Sequence, residues 1–188
     1  MDAGWWEKHS GHYHDGNWES ISLLAPNGER GNQVSFGGAF ALTEALSRCS
    51  YIQEVVDTFP GGRNRVRFLR LRAGGEIFTH SDPMHQIDPA LLRIHVPVIT
   101  NAAVEFRING LRIAMQAGEA WCVDVRFRHS VCNASASDRV HLVIDVVAGR
   151  ELRAMLEAAE SSGQARLTGY FLKHALPRRV IRRLGIGN

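Results

Sequence analysis

The chain has 188 residues, 45% hydrophobic and 22% charged, which makes it ordinary globular material large enough for one substantial core. Its net charge of +3 rests almost wholly on arginine, with lysine only at 8 and 173, and no basic run interleaves with aromatics, so nucleic acid is not an expected partner. No run approaches ~18 apolar residues, no apolar core follows Trp5-Trp6-Glu7-Lys8-His9, and Cys49, Cys122 and Cys132 form no Cys-x-x-Cys pair; a cytoplasmic protein without a membrane span is expected, its oligomeric state left open.

Residues 1–33 are rich in Gly, Asn, His and Trp and read as irregular structure with one short strand, Glu19 to Leu23, before the turn Ala25-Pro26-Asn27-Gly28. His9, His12, His14 and Asp15 offer the donor types of a metal site, but His-x-x-His-x-His on a loop fixes no coordination geometry, and a solvent-facing or lid segment is the favoured reading. Phe40, Leu42, Ala45, Leu46 and Cys49 fall at helical spacing and predict a helix over 39–50. A second, over 51–58, stops at Phe59-Pro60-Gly61-Gly62. From residue 65 the texture becomes that of strands: 66–72, a turn at Ala73-Gly74-Gly75, then Glu76 to Thr79 leading into His80, and a loop over 83–90 with Pro83 and Pro89.

The strand over 91–100 puts Leu92, Ile94, Val96 and Val98 on one face and Arg93 with His95 on the other, which either lines a polar cavity or meets solvent. Residues 104–108 and 111–115 flank Asn109-Gly110, a hairpin signal of type I′. Gly118-Glu119 turns into a strand over 120–125, another begins near His129, and the last long one is Arg139 to Val147. Short strands at this spacing predict a mainly β double-sheet barrel, a jelly roll, over about 65–148. Leu152, Met155, Leu156 and Ala159 mark an amphipathic helix after Gly149, and a further helix is expected from about Arg166 to Pro177, with Arg178, Arg179, Arg182 and Arg183 beyond it as a solvated face. The whole is expected to be a single domain over 1–188, with an N-terminal lid and helices in 1–60 and C-terminal helices in 150–184.

Chemistry concentrates on His80, Asp82 and His129. Residues i and i+2 of a strand share a face, so Phe78-Thr79-His80-Ser81-Asp82 presents an imidazole and a carboxylate side by side. A second imidazole, from His129 in Phe127-Arg128-His129-Ser130-Val131, completes two nitrogens and one oxygen with positions left open, the set that suits non-haem Fe(II) in O2 chemistry. His-x-Asp alone is common by chance; Arg139, ten residues after His129, sharpens it. A planar, permanently charged guanidinium at a strand start is a carboxylate clamp, and iron with such a clamp nearby is what 2-oxoglutarate needs. Arg139 shares its strand face with His141, Val143 and Asp145.

In "RFLRLRAGGEIFTHSD", "LLRIHVPV", "GEAWCVDVRFRHSVCN" and "DRVHLVIDV", in that order over residues 66–147 and with a looser match in "HDGNWESISL", the chain resembles the aspartyl/asparaginyl β-hydroxylase family, which includes bacterial proline hydroxylases. The resemblance implies a cupin-like double-stranded β-helix and an Fe(II)- and 2-oxoglutarate-dependent hydroxylase that uses O2, acts on an unactivated C–H of an amino acid or of an amino-acid-containing small molecule or peptide, and releases succinate and CO2. It implies that His95 approaches the cosubstrate side of the metal, that Arg93 meets a carboxylate or similar anion of the prime substrate, and that His14, Asp15 and Trp18 lie near the substrate mouth. Many 2-oxoglutarate oxygenases carry Arg-x-Ser where this chain has Arg139-Val140-His141, which leaves the second partner of the distal carboxylate open. Two other readings use the same residues: a cupin-like metalloenzyme working without 2-oxoglutarate, and a jelly-roll binding module with structural histidines.

Overall fold

A computed structural model describes residues 3–33, 39–82, 88, 90–161 and 171–175. After a short 3-10 helix, Ala3–Trp5, come β1 (Glu7–Lys8), β2 (Trp18–Pro26), β3 (Phe40–Leu42), α1 (Glu44–Ser47), α2 (Ser50–Asp57), β4 (Gly62–Leu71), β5 (Glu76–His80), β6 (Leu91–Ile99), β7 (Val104–Ile108), β8 (Leu111–Ile113), β9 (Glu119–Val123), β10 (His129–Asn133), β11 (Arg139–Val147), α3 (Arg150–Ser161) and β12 (Phe171–Ala175). One sheet runs β1-β2-β4-β11-β6-β9-β12, with β3 added on β2; the other runs β5-β10-β7-β8. Every pairing is antiparallel. The fold is the mainly β jelly roll that the strand spacing predicts.

Alternation on β11 shows how the two faces of the large sheet divide. Val140, Leu142, Ile144 and Val146 join one core, which takes in Leu46, Ile52, Val55 and Phe59 around α1 and α2 and Leu152 and Leu156 of α3. Val143 belongs to a second core with Leu69, Leu71, Ile77, Phe106, Ile108, Val123 and Val131, contributed by strands of both sheets. The polar residues Arg139, His141 and Asp145 share the parity of Val143, and all three are buried. The interior between the sheets is therefore half apolar and half polar. At ~25 cal/mol per Å2 the apolar layers stabilise the barrel, while the polar ones require partners.

Turn chemistry follows the sequence closely. Asn109 (φ 46°) and Gly110 (φ 80°) make the β7–β8 hairpin, both in the left-handed region as a type I′ turn demands. Gly61, at φ 139°, carries the chain from α2 into β4 so close to β11 that a Cβ there would lie 2.5 Å from the Val147 carbonyl oxygen.

Two predicted helices differ. The helix expected over 39–50 is a strand, β3, followed by the single turn α1. The edge of β2 captures Phe40–Leu42, and Thr43 then donates its hydroxyl to the Ser22 carbonyl at 2.7 Å and its N–H to the Leu23 carbonyl at 3.0 Å. The helix expected over 166–177 is, where described, the strand β12, paired with β9 from Phe171↔Val123 to Ala175↔Glu119. In both places an open sheet edge offers ladder hydrogen bonds that outweigh local helical spacing. The loop over 83–90 lies mostly outside the described residues, and Arg178, Arg179, Arg182 and Arg183 lie wholly outside them.

Candidate metal centre

His80 ends β5, His129 begins β10, and the register of these strands sets the two residues opposite each other with ring centroids 4.3 Å apart. Each ring is oriented by a carbonyl two residues earlier: His80 Nδ1–H donates to Phe78 O at 2.7 Å and His129 Nδ1–H to Phe127 O at 2.9 Å. Both Nε2 atoms are thereby left as the basic lone pairs, the tautomer a metal ligand needs. Asp82 follows two residues after His80, its N–H donating to Val125 O at 2.9 Å and its Oδ1 3.4 Å from His80 Nε2. One ligand atom from each of the three lies within 4.8 Å of the others, a group able to hold a metal ion. Burial pushes His129 down to about 4, so it is neutral near pH 7. Burial alone would raise the Asp82 carboxyl, but Arg93 and the two histidines outweigh it and hold it well below the usual range.

Behind Asp82 stands a buried ionic cluster. Arg93 donates one Nη1–H to Asp82 and grips Asp145 bidentately, Nε to Oδ1 at 2.7 Å and Nη2 to Oδ2 at 3.0 Å. Asp145, 1% exposed, sits in β11 with Arg65 opposite on β4 and Arg93 opposite on β6. Arg65 donates to Asp145 Oδ2 at 3.3 Å, and Arg67 Nη2 lies 3.6 Å from the same oxygen. Burial lowers Arg67 well below its ordinary value, and the Nε of both Arg65 and Arg67 has no partner among the described residues. The resemblance implies that Arg93 meets an anion of the prime substrate; in the structure its guanidinium bonds to Asp145 and to the Asp82 carboxylate. Asp145, Arg65 and Arg67, which build this cluster, were not among the candidate site residues that the sequence offers. Their only signal was polar parity on strands otherwise apolar.

Deeper between the sheets lies a third polar group. Arg139, 1% exposed, has no carboxylate partner among the described residues; its Nη2 donates to His141 Nδ1 at 2.8 Å and its Nε is unpartnered. Burial alone pushes this guanidinium down to about 9. His95 and His141 lie 5.6 Å apart, centroid to centroid, and both ring nitrogens of His95 and Nε2 of His141 are buried without partners among the described residues. Burial, then the charge of Arg139, lowers both histidines well below their ordinary value. Phe106 bridges His95, at 5.5 Å, and His129, at 6.1 Å. A buried cation with no carboxylate partner among the described residues, beside buried polar nitrogens that also lack one, favours an anionic ligand, because buried unpaired polar groups cost about 1–3 kcal/mol each.

The N-terminal segment covers the triad. Tyr13, half exposed, stacks on His80 at 4.8 Å. His9 stacks on Trp18 at 3.6 Å and is pushed down to about 2 by burial and by Arg67 and Arg65. His14 spends both ring nitrogens on backbone: Nε2–H donates to His9 O at 3.1 Å and Nδ1 accepts from Gly16 N–H at 2.9 Å. Asp15 closes a local turn, accepting from Asn17 N–H at 3.0 Å and Glu76 N–H at 3.1 Å, which pins the segment to β5. Of the three expected mouth residues, His14 bonds to the segment's own backbone, Asp15 bonds to that backbone and to β5, and Trp18 is buried and stacked on His9. No helix among the described residues is long and apolar enough to cross a membrane.

The family described as Aspartyl/Asparaginyl beta-hydroxylase matches residues 2–148. An L-proline cis-4-hydroxylase of Rhizobium meliloti (strain 1021) is 30% identical over 134 residues, which is 69% of this chain and 48% of that protein, so the chain spans about half the length of this curated relative. The crystal structure of an oxidoreductase of the 2OG-Fe(II) oxygenase family from Burkholderia pseudomallei superposes with a TM-score of 0.51 and 16% identity, covering 77% of this chain and 76% of that one, a likeness of fold.

Proposed function

The chain belongs to the aspartyl/asparaginyl β-hydroxylase family, and from that premise we propose that it is an Fe(II)- and 2-oxoglutarate-dependent oxygenase that hydroxylates a C–H bond of an amino acid or an amino-acid-containing small molecule or peptide, with release of succinate and CO2. The observation that carries the proposal is Arg139, a fully buried guanidinium with no carboxylate partner among the described residues, in the same barrel as the His80, Asp82 and His129 group. A binding module with structural histidines leaves that cation unexplained.

His80 and His129 would hold the iron through their Nε2 atoms and Asp82 through a carboxylate oxygen. Arg93, anchored on Asp145, orients Asp82 and disperses its charge. Arg139 would pair with the distal carboxylate of 2-oxoglutarate, and His95 would donate or accept on the cosubstrate side. Bound iron and 2-oxoglutarate supply the oxidising power drawn from O2; the protein supplies placement and a dry interior. A prime substrate bearing a carboxylate would find positive potential from Arg65 and Arg67, whose Nε atoms have no partner among the described residues.

The test is binding of 2-oxoglutarate without O2, to wild type and to Arg139→Ala, each loaded with Fe(II). A lost charge-assisted pair of about 1.5–3 kcal/mol weakens affinity about ten- to 150-fold, with iron content unchanged. Equal affinity in the two proteins, or no 2-oxoglutarate binding by wild type, would favour a cupin-like metalloenzyme that uses the same ligands without this cosubstrate. A screen of free amino acids, L-proline among them, with succinate and product mass as readouts, identifies the substrate.

A further inference from the structure

We propose that His141 is a direct hydrogen-bond donor to the distal carboxylate of 2-oxoglutarate, and that Arg139 fixes the tautomer that makes it one. The inference rests on the 2-oxoglutarate reading above.

Arg139 and His141 stand two residues apart on β11 and share its inner face. Arg139 Nη2 lies 2.8 Å from His141 Nδ1. A guanidinium has donors and no acceptor, so the imidazole Nδ1 must be the acceptor and carry the lone pair. A neutral imidazole in that state carries its hydrogen on Nε2. This Nε2–H is buried and has no partner among the described residues. The neighbours of His141 in register, Leu69 on β4 and Pro97 on β6, offer no acceptor side chain, and His95, whose ring centroid lies 5.6 Å away, makes no hydrogen bond to it among the described residues. Arg139 Nε is a second buried donor without an acceptor, on the same strand face. Two donors on one face, with no acid described beside them, match the two oxygens of one carboxylate. A solitary clamp would use Arg139 alone and leave position 141 free to be apolar, as Val143 is. The imidazole therefore has two tasks: it orients the guanidinium through Nδ1 and meets the ligand through Nε2.

Two measurements test this on the full chain with Zn(II) replacing iron, so that the protein is diamagnetic and inert. The probes are N-oxalylglycine, an unreactive analogue that keeps the distal carboxylate, and pyruvate, a 2-oxo acid that lacks it. In 15N-histidine NMR, the signal that disappears in His141→Leu is expected to be an Nε2–H tautomer whose proton moves downfield when N-oxalylglycine is added and stays when pyruvate is added. By calorimetry, His141→Leu is expected to bind N-oxalylglycine about ten-fold or more weakly and pyruvate as wild type does, while His141→Gln, which keeps one acceptor and one donor, recovers most of the loss. An Nδ1–H tautomer, an Nε2 proton unmoved by N-oxalylglycine, or unaltered N-oxalylglycine affinity in His141→Leu overturns the assignment. His141→Gln makes the same assignment where His141→Leu does not fold. Wild type that binds N-oxalylglycine with an unmoved Nε2 proton refutes the role of His141 alone; wild type that binds neither N-oxalylglycine nor 2-oxoglutarate refutes the reading beneath it as well.

Discussion

Asp145→Asn is the sharpest single perturbation of the polar interior. The carboxylate accepts two hydrogen bonds from Arg93, at 2.7 and 3.0 Å, and one from Arg65 at 3.3 Å, with Arg67 at 3.6 Å. Asparagine keeps the shape but loses the charge, and its amide turns two hydrogens toward guanidiniums that are themselves only donors. Removing one member of a buried ion pair costs about 3–5 kcal/mol because the partner stays buried and uncompensated. Here three guanidiniums share the loss, which places the expectation at the upper end, against a total stability of about 5–15 kcal/mol. At roughly 2–4 °C per kcal/mol for a chain of this size, Tm should fall by about 6–20 °C. The assay is urea unfolding of the metal-free protein at pH 7.5, in low and high salt. Screening hardly reaches a buried cluster, so the difference should persist in salt. An internal control is Asp57→Asn, whose partner Arg63 lies 2.7 Å away but whose side chain is 54% exposed; its cost should stay below about 1 kcal/mol. Metal affinity should fall as well, because Arg93 would then have Asp82 as its remaining carboxylate and would compete with the ion for it. A loss below about 1 kcal/mol for Asp145→Asn, with an unchanged slope in urea, would refute the argument that Asp145 neutralises the cluster.

His80→Ala or His129→Ala should abolish turnover and most Fe(II) binding, and Asp82→Ala should lose hydroxylation while retaining weak metal binding; iron content and single-turnover product formation measure both, and full activity in metal-replete His129→Ala refutes the triad. Acid should destabilise the metal-free fold between about pH 7.5 and 5.5. His95 and His141 are held neutral when folded, their values lowered by burial first, so the unfolded chain binds more protons as pH falls through the ordinary histidine range near 6.5, and stability drops by about 1.4 kcal/mol per histidine over that window. Urea unfolding at the two pH values, on wild type and His141→Leu, should show a smaller pH effect in the variant; an equal effect shows that His141 does not contribute.

The metal group was legible because its pieces are local. Parity predicts that His80 and Asp82 lie side by side, and although β5 ends at His80 the carboxylate still falls within reach of it, while His129 needed only one further strand to arrive beside them. The hairpin at Asn109-Gly110 was equally legible, since its backbone angles are written in two residues. Parity was less informative where partners come from afar. It put Arg93 and His95 together on one face of β6 without deciding between a cavity and solvent; both are buried, and parity could not say that the β6–β11 register sets Arg93 against Asp145, 52 residues away. It likewise could not foresee that β9 would leave an edge for Phe171–Ala175 to join as a strand.

That distinction bears on how the interior is organised. A face assignment says only that a charge is inside; the register decides whether that charge is already neutralised. Arg93 and Arg139 occupy inner faces of neighbouring strands, β6 and β11, and carry the same group. The register gives Arg93 two carboxylates, Asp145 and Asp82, whereas Arg139 stands opposite Leu71 on β4 and bonds to a neutral imidazole. Arg93 therefore has little capacity left for an incoming anion, and its energetic role is to hold Asp82 in place. Arg139 retains nearly all of its capacity, held in a dry site where one carboxylate gains more than it would in water. Exchanging the two environments in thought, with an acid at position 71 facing Arg139, gives a direct consequence: Leu71→Asp would neutralise Arg139 from within and compete with any carboxylate ligand, while leaving His80, Asp82 and His129 untouched.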